Sequence, residues 1–164
     1  MIKREMYMKR IRPFMGTDLV KVMTGIRRSG KSVMLELIRK ELLESGIKPE
    51  QFITINFEDM SYSHLLTASA LHSEITARTA KINGKAYLFF DEIQEVKDWE
   101  KCINSFRFSL DCDIYITGSN ARLLSGELAT YLGGRYVEFT LYPFSFSEFL
   151  DLSVLAEARI AAFG

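Results

Sequence analysis

Two short stretches hold most of the groups able to do chemistry. The first is Gly25-Ile26-Arg27-Arg28-Ser29-Gly30-Lys31-Ser32, which fits the pattern G-x-x-x-x-G-K-[ST] directly after the apolar run Leu19 to Val22. Glycines let a backbone fold tightly around a polyphosphate with its N–H groups turned inward, and a helix opening behind them adds partial positive charge. Lys31 would neutralise the β and γ oxygens of a triphosphate, and the Ser32 hydroxyl would reach Mg²⁺. The candidate nucleotide-binding residues are therefore Gly25, Ile26, Arg27, Arg28, Ser29, Gly30, Lys31, Ser32 and Val33. Neither Arg27 nor Arg28 is required by the pattern; one could reach phosphate and the other an acidic neighbour or a partner.

The second stretch is "YLFFDEIQ", Tyr87 to Gln94, where an apolar run ends in two adjacent carboxylates. Asp91 is assigned to Mg²⁺ together with Ser32, and Glu92 to orienting or deprotonating the attacking water. Asn56, after "FITI", could hold Glu92 in an inactive rotamer or simply form a turn. Glu58 and Asp59 follow it and could touch Mg²⁺, although acidic loop residues are usually just solvated. Among Thr117, Ser119 and Asn120, Asn120 is assigned to sensing the γ-phosphate, with helix capping as the plainer role for Ser119 or Asn120. Arg135, behind the two glycines of "YLGGRY", is assigned to the transition-state charge in its own or a neighbouring subunit, so self-association would run through it. Arg122 competes for that role, and a surface ion pair is the alternative for Arg135.

These groups need elements to carry them. Leu19 to Thr24, Phe52 to Phe57, Ala86 to Phe90, Asp113 to Asn120 and Tyr136 to Leu141 read as strands. Met6 to Met15, Ser32 to Glu44, His64 to Lys81 and Trp99 to Leu110 read as helices. Alternating strands and helices imply an α/β fold, here a three-layer sandwich around a five-stranded, mainly parallel sheet with helices on both faces. Function then belongs at the carboxyl ends of the strands. The division expected is a basic amino-terminal helix over residues 1–17 packed on the core, a nucleotide-binding core over 18–150, and the start of a further segment over 151–164.

The formal net charge is zero, which argues against a dominant nonspecific attraction to nucleic acid or anionic membrane. Residues 1–31 nevertheless hold nine of the 21 basic residues and sum to +7. Lys3, Arg4, Lys9, Arg10 and Arg12 could make a nucleic-acid-binding helix face, but a solvated face is the better reading. Cys102 and Cys112 lack metal or redox spacing, and there is no leader-like start, so a reducing cytoplasmic setting is expected. No apolar stretch reaches the roughly 20 residues that span a bilayer, so no membrane partner is expected.

"GIRRSGKS", "INFED", "FFDEIQ", "ITGSN", "LGGRY" and "PFSFSEF", in this order, resemble the ATP-binding domain of prokaryotic AAA-type ATPases that carry a nuclease-like C-terminal domain of unknown function. The resemblance runs from about Ile2 to Leu150. It implies ATP and Mg²⁺ bound at Gly30, Lys31, Ser32 and Asp91, catalysis by Glu92, and a sensor strand lying between the carboxylate strand and the phosphate-loop strand. Members are usually longer, so an effector region, with its protein or nucleic-acid partner, is expected beyond Gly164. Two rival readings remain: a small-molecule kinase, for which "GGRY" supplies only one lid arginine, and a nucleotide-gated binding module with little turnover.

Overall fold

The structure, a computed structural model, describes residues 4–119, 123 and 127–143. Five strands, β1 (Val20–Thr24), β2 (Phe52–Asn56), β3 (Ala86–Asp91), β4 (Cys112–Gly118) and β5 (Tyr136–Thr140), form one sheet in the order β2-β3-β4-β1-β5. Every neighbouring pair is parallel. The carboxylate strand β3 is therefore separated from the phosphate-loop strand β1 by β4. Helices α1 (Glu5–Ile11), α2 (Lys31–Glu44), α3 (Ala68–Thr79), α4 (Trp99–Ser109) and α5 (Glu127–Leu132) accompany it.

Side chains alternate across a strand, so the sheet feeds two cores. On one face Val20, Val22, Ile55, Leu88, Phe90, Ile114 and Ile116 pack with Leu71 and Ile75 of α3 and Ile103 and Phe106 of α4. On the other, Met23, Phe89, Tyr115 and Phe139 pack with Tyr7, Met8 and Ile11 of α1 and with Met34, Leu35 and Ile38 of α2. A helix as short as α1 would not persist alone. Burying three of its side chains, at about 1.5–3 kcal/mol each, holds it in place.

The helix expected from His64 begins only at Ala68. Ala68 N–H donates to the Lys97 carbonyl and Lys97 N–H to that of Leu66, so residues 66–68 are committed to a strand-like bridge. Thr67 then caps α3 by accepting from Ala70 N–H, and Met60–Leu65 forms a separate 3-10 turn capped by Asp59. Of the basic residues near the amino terminus, Lys9 and Arg10 are exposed, Arg4 is buried, and Arg12 forms ion pairs with Glu5 and Glu41, which together raise the pKa of its guanidinium.

Candidate nucleotide-binding site

The loop between β1 and α2 owes its shape to a few backbone positions. A Cβ on Gly25 would collide with the Leu141 carbonyl and the Ser29 hydroxyl, so no larger residue fits where the loop leaves the strand. Arg28 (φ 63°) and Gly30 (φ 87°) take left-handed conformations, which turn the chain back into α2. No side chain caps the amino end of α2, leaving its first-turn N–H groups to face an anion.

Lys31 is 6% exposed and curls back over the loop, its Nζ donating to the carbonyls of Gly25 (3.1 Å) and Ile26 (3.2 Å). Its Nζ also lies 3.6 Å from Glu92 Oε1. The Ser32 hydroxyl donates to Asp91 Oδ2 at 2.5 Å. Thr117 of β4 completes the bracket: its hydroxyl donates to Asp91 Oδ1 and accepts from Glu92 N–H (3.0 Å). Ser32 and Asp91, 59 positions apart, are thus joined, and Thr117 meets Asp91 because β3 and β4 end side by side.

Glu92 sits in the left-handed region (φ 55°), a conformation that costs a non-glycine residue on the order of 1–3 kcal/mol. Gln94 holds the side chain, its Nε2 donating to Glu92 Oε2 at 2.5 Å. Asn56 does not: its Oδ1 accepts from Glu58 N–H in a local turn. Gln94 is the residue the spacing missed, since within "DEIQ" nothing but the short turn after Asp91 brings the two side chains together.

These groups line a cavity of about 650 Å³, with Arg28, Gly30, Lys31, Ser32, Glu92 and Gln94 among its walls and Asp91 just behind Ser32. Arg27 faces Glu58 at 3.8 Å, an exposed pair of little energetic weight. Asp59 is occupied as a cap, and the Ser61 amide and hydroxyl that donate to it lower its pKa. Ser119 reaches the cavity; Asn120 and Arg122 lie outside the described residues.

Arg135 is not brought to this site. Its carbonyl accepts from Val20 N–H where β1 begins, whereas the phosphate loop follows the end of β1. A five-residue strand rises roughly 13–16 Å, so the exposed Arg135 stands at the opposite edge of the sheet. Within one chain it cannot reach a phosphate held by Lys31. The parallel direction of β5 carried that information, because a residue preceding a parallel strand lies at the amino edge.

Two features fit a bound polyphosphate and its metal. Among the described residues the Ser29 hydroxyl is buried without a hydrogen-bond partner, inside a loop whose glycines admit close backbone approach. Ser32 and Asp91 also supply the oxygen ligands that a hard divalent cation prefers. Fold and site together define a P-loop nucleotide-binding domain of the AAA type.

Comparison with known proteins agrees. A family model described as an AAA domain matches residues 17–150, and the chain belongs to that family. It is 47% identical over 150 residues to an uncharacterized protein of Haemophilus influenzae, covering 92% of this chain and 38% of the relative. The chain thus spans well under half the length of that relative. The fold is shared with the Aeropyrum pernix ORC1 protein solved in complex with DNA (TM-score 0.67, 18% identity, 96% of this chain and 50% of that one). AMPPCP-bound DnaA from Aquifex aeolicus shares it as well (TM-score 0.52, 16% identity, 82% and 45%). No helix among the described residues is long and apolar enough to cross a membrane.

Proposed function

We propose that the domain binds ATP with Mg²⁺ and hydrolyses it, coupling nucleotide state to other parts of a longer protein. The observation that carries this reading is the convergence of the two motifs, with Ser32 Oγ 2.5 Å from Asp91 and Lys31 Nζ 3.6 Å from Glu92. The loop amides and the amino end of α2 receive the phosphates, and Lys31 exchanges its two backbone carbonyls for phosphate oxygens. Ser32 and Asp91 are the ligands that would hold Mg²⁺, which when bound offsets the charge of the β and γ oxygens. Glu92, released from Lys31 and Gln94, orients a water for in-line attack and takes its proton. The triphosphate analogue carried by the DnaA neighbour supports ATP as the ligand class.

Two roles remain with the parts outside this arrangement. Asn120 is proposed to sense the γ-phosphate, and Arg135 to serve the site of a neighbouring subunit from the far edge of its own sheet. Release of phosphate from Mg-ATP without any acceptor tests the central reading. Glu92→Gln should lower turnover by roughly 10²–10⁴-fold while leaving Mg-ATP affinity within about threefold. Turnover unaffected by Glu92→Gln would favour a nucleotide-gated binding module instead.

A further inference from the structure

Arg4 is the first described residue of the chain, and it is only 2% exposed. Its Nη1 donates to the Ser29 carbonyl of the phosphate loop at 2.5 Å, and its Nη2 donates to the Tyr142 carbonyl, just past β5, at 2.7 Å. The guanidinium lies 4.5 Å from the centre of the Tyr7 ring. The Tyr7 hydroxyl in turn accepts from Tyr142 N–H at 3.1 Å. One side chain thus bridges residues 25 and 138 positions away in sequence.

The mount is rigid. Arg4 precedes α1, and its own carbonyl accepts from the N–H groups of Tyr7 and Met8, so the buried side chains of α1 fix where Arg4 begins. The peptide that Arg4 grips is also informative. A trans peptide is planar, with its C=O and N–H pointing in opposite directions. The Ser29 carbonyl shares its peptide unit with Gly30 N–H, and Gly30 lines the nucleotide cavity. By holding the carbonyl from behind, Arg4 aims Gly30 N–H at the position of a phosphate. The same fork means that any rotation of this peptide pulls on Tyr142, where the chain leaves β5. The two regions already touch, since Leu141 N–H donates to the Thr24 carbonyl at 2.7 Å.

We infer that Arg4 is a positioning residue that sets the Gly30 amide for phosphate binding and relays the state of the phosphate loop to the chain leaving β5. The inference rests on the proposed nucleotide site. A planar guanidinium can hold two carbonyls in a fixed fork; the point charge of a lysine cannot reproduce that geometry.

Amide exchange read by mass spectrometry, with and without Mg-ATP, tests it on the 164-residue chain. In the unaltered protein, Mg-ATP should protect the amides of residues 30–32 and also change exchange at Tyr142. In Arg4→Lys saturated with Mg-ATP, protection at 30–32 should persist while the Tyr142 response disappears, with affinity lower by about tenfold, the scale of one charge-assisted hydrogen bond. A purely structural role would lower thermal stability yet leave the nucleotide response at Tyr142 intact, and that result overturns the relay. If Arg4→Lys does not fold, Tyr7→Phe serves: it frees Tyr142 N–H but keeps the Arg4 fork, so Tyr142 exchange should be faster overall yet still respond to Mg-ATP, and loss of that response would assign the coupling to the Tyr7 hydroxyl and overturn the role of Arg4. Unaltered protein whose Tyr142 ignores Mg-ATP while residues 30–32 are protected also overturns the relay alone. Absence of protection at 30–32 removes the nucleotide site itself, and the inference with it.

Discussion

Lys21 and Lys31 are both buried, yet they stand at opposite edges of the same sheet and are held in opposite ways. Lys21, 0% exposed, donates to the Thr17 carbonyl at 2.9 Å and to Asp113, whose other oxygen accepts from Gly16 N–H (2.8 Å) and the Tyr115 hydroxyl (2.7 Å). Burial still lowers the Lys21 pKa against the pull of Asp113, and burial beside Asp113 raises that of Tyr115. Around Lys31 the contacts are longer, two non-glycine residues, Arg28 and Glu92, are left-handed, and the Ser29 hydroxyl and the Gln94 Oε1 are buried without partners among the described residues. A buried charge is therefore no mark of function by itself. A buried charge among loose and strained neighbours is, because those neighbours can be re-satisfied by a ligand.

The comparison can be broken most forcefully at Lys21. Lys21→Met leaves Asp113 buried without its cation and should cost about 3–5 kcal/mol in urea denaturation, whereas Lys21→Met with Asp113→Leu should recover most of that loss. Nucleotide affinity of the folded fraction should not change. Lys31→Ala should do the reverse, weakening Mg-ATP binding about 100-fold by calorimetry while shifting stability by less than ~1 kcal/mol. Equal stability losses at the two lysines would erase the distinction.

The last effect is confined to alkaline pH and comes from Cys102 within α4 and Cys112 at the first position of β4. Burial pushes the Cys102 and Cys112 thiols up to about 12 from an ordinary 9.0. Below pH 9 both thiols are protonated in folded and unfolded chains alike; above it the unfolded chain releases protons that the folded one retains. Stability should fall as pH rises from about 9 toward 12, and less steeply in Cys102→Ala/Cys112→Ala, measured by denaturant titration at each pH.

The sheet was legible because each strand is short, apolar and bounded by turn residues, and because "AYLFF" is continuous enough to be covered on both sides, as β3 is. The phosphate loop was legible because its constraint is local: glycine where a Cβ would collide, lysine and serine at the helix start. What escaped was set by distant partners. Arg4 read as a solvated cation because Ser29 and Tyr142 lie far along the chain. Asn56 read either as a holder of Glu92 or as a turn former; it forms the turn with Glu58 N–H, and Gln94, which the spacing missed, holds Glu92.

Thermal unfolding with Mg-ATP, and with ATP in EDTA, tests the central claim most directly. At 100 times its dissociation constant Mg-ATP should add about 2.7 kcal/mol, raising the midpoint by roughly 5–10 °C. The shift should shrink in EDTA and fall to about 0.4 kcal/mol in Lys31→Ala, for which the same ligand concentration only equals the dissociation constant. An undiminished shift in Lys31→Ala, or none with Mg-ATP in the unaltered chain, would contradict a triphosphate held between the β1 loop and the end of β3.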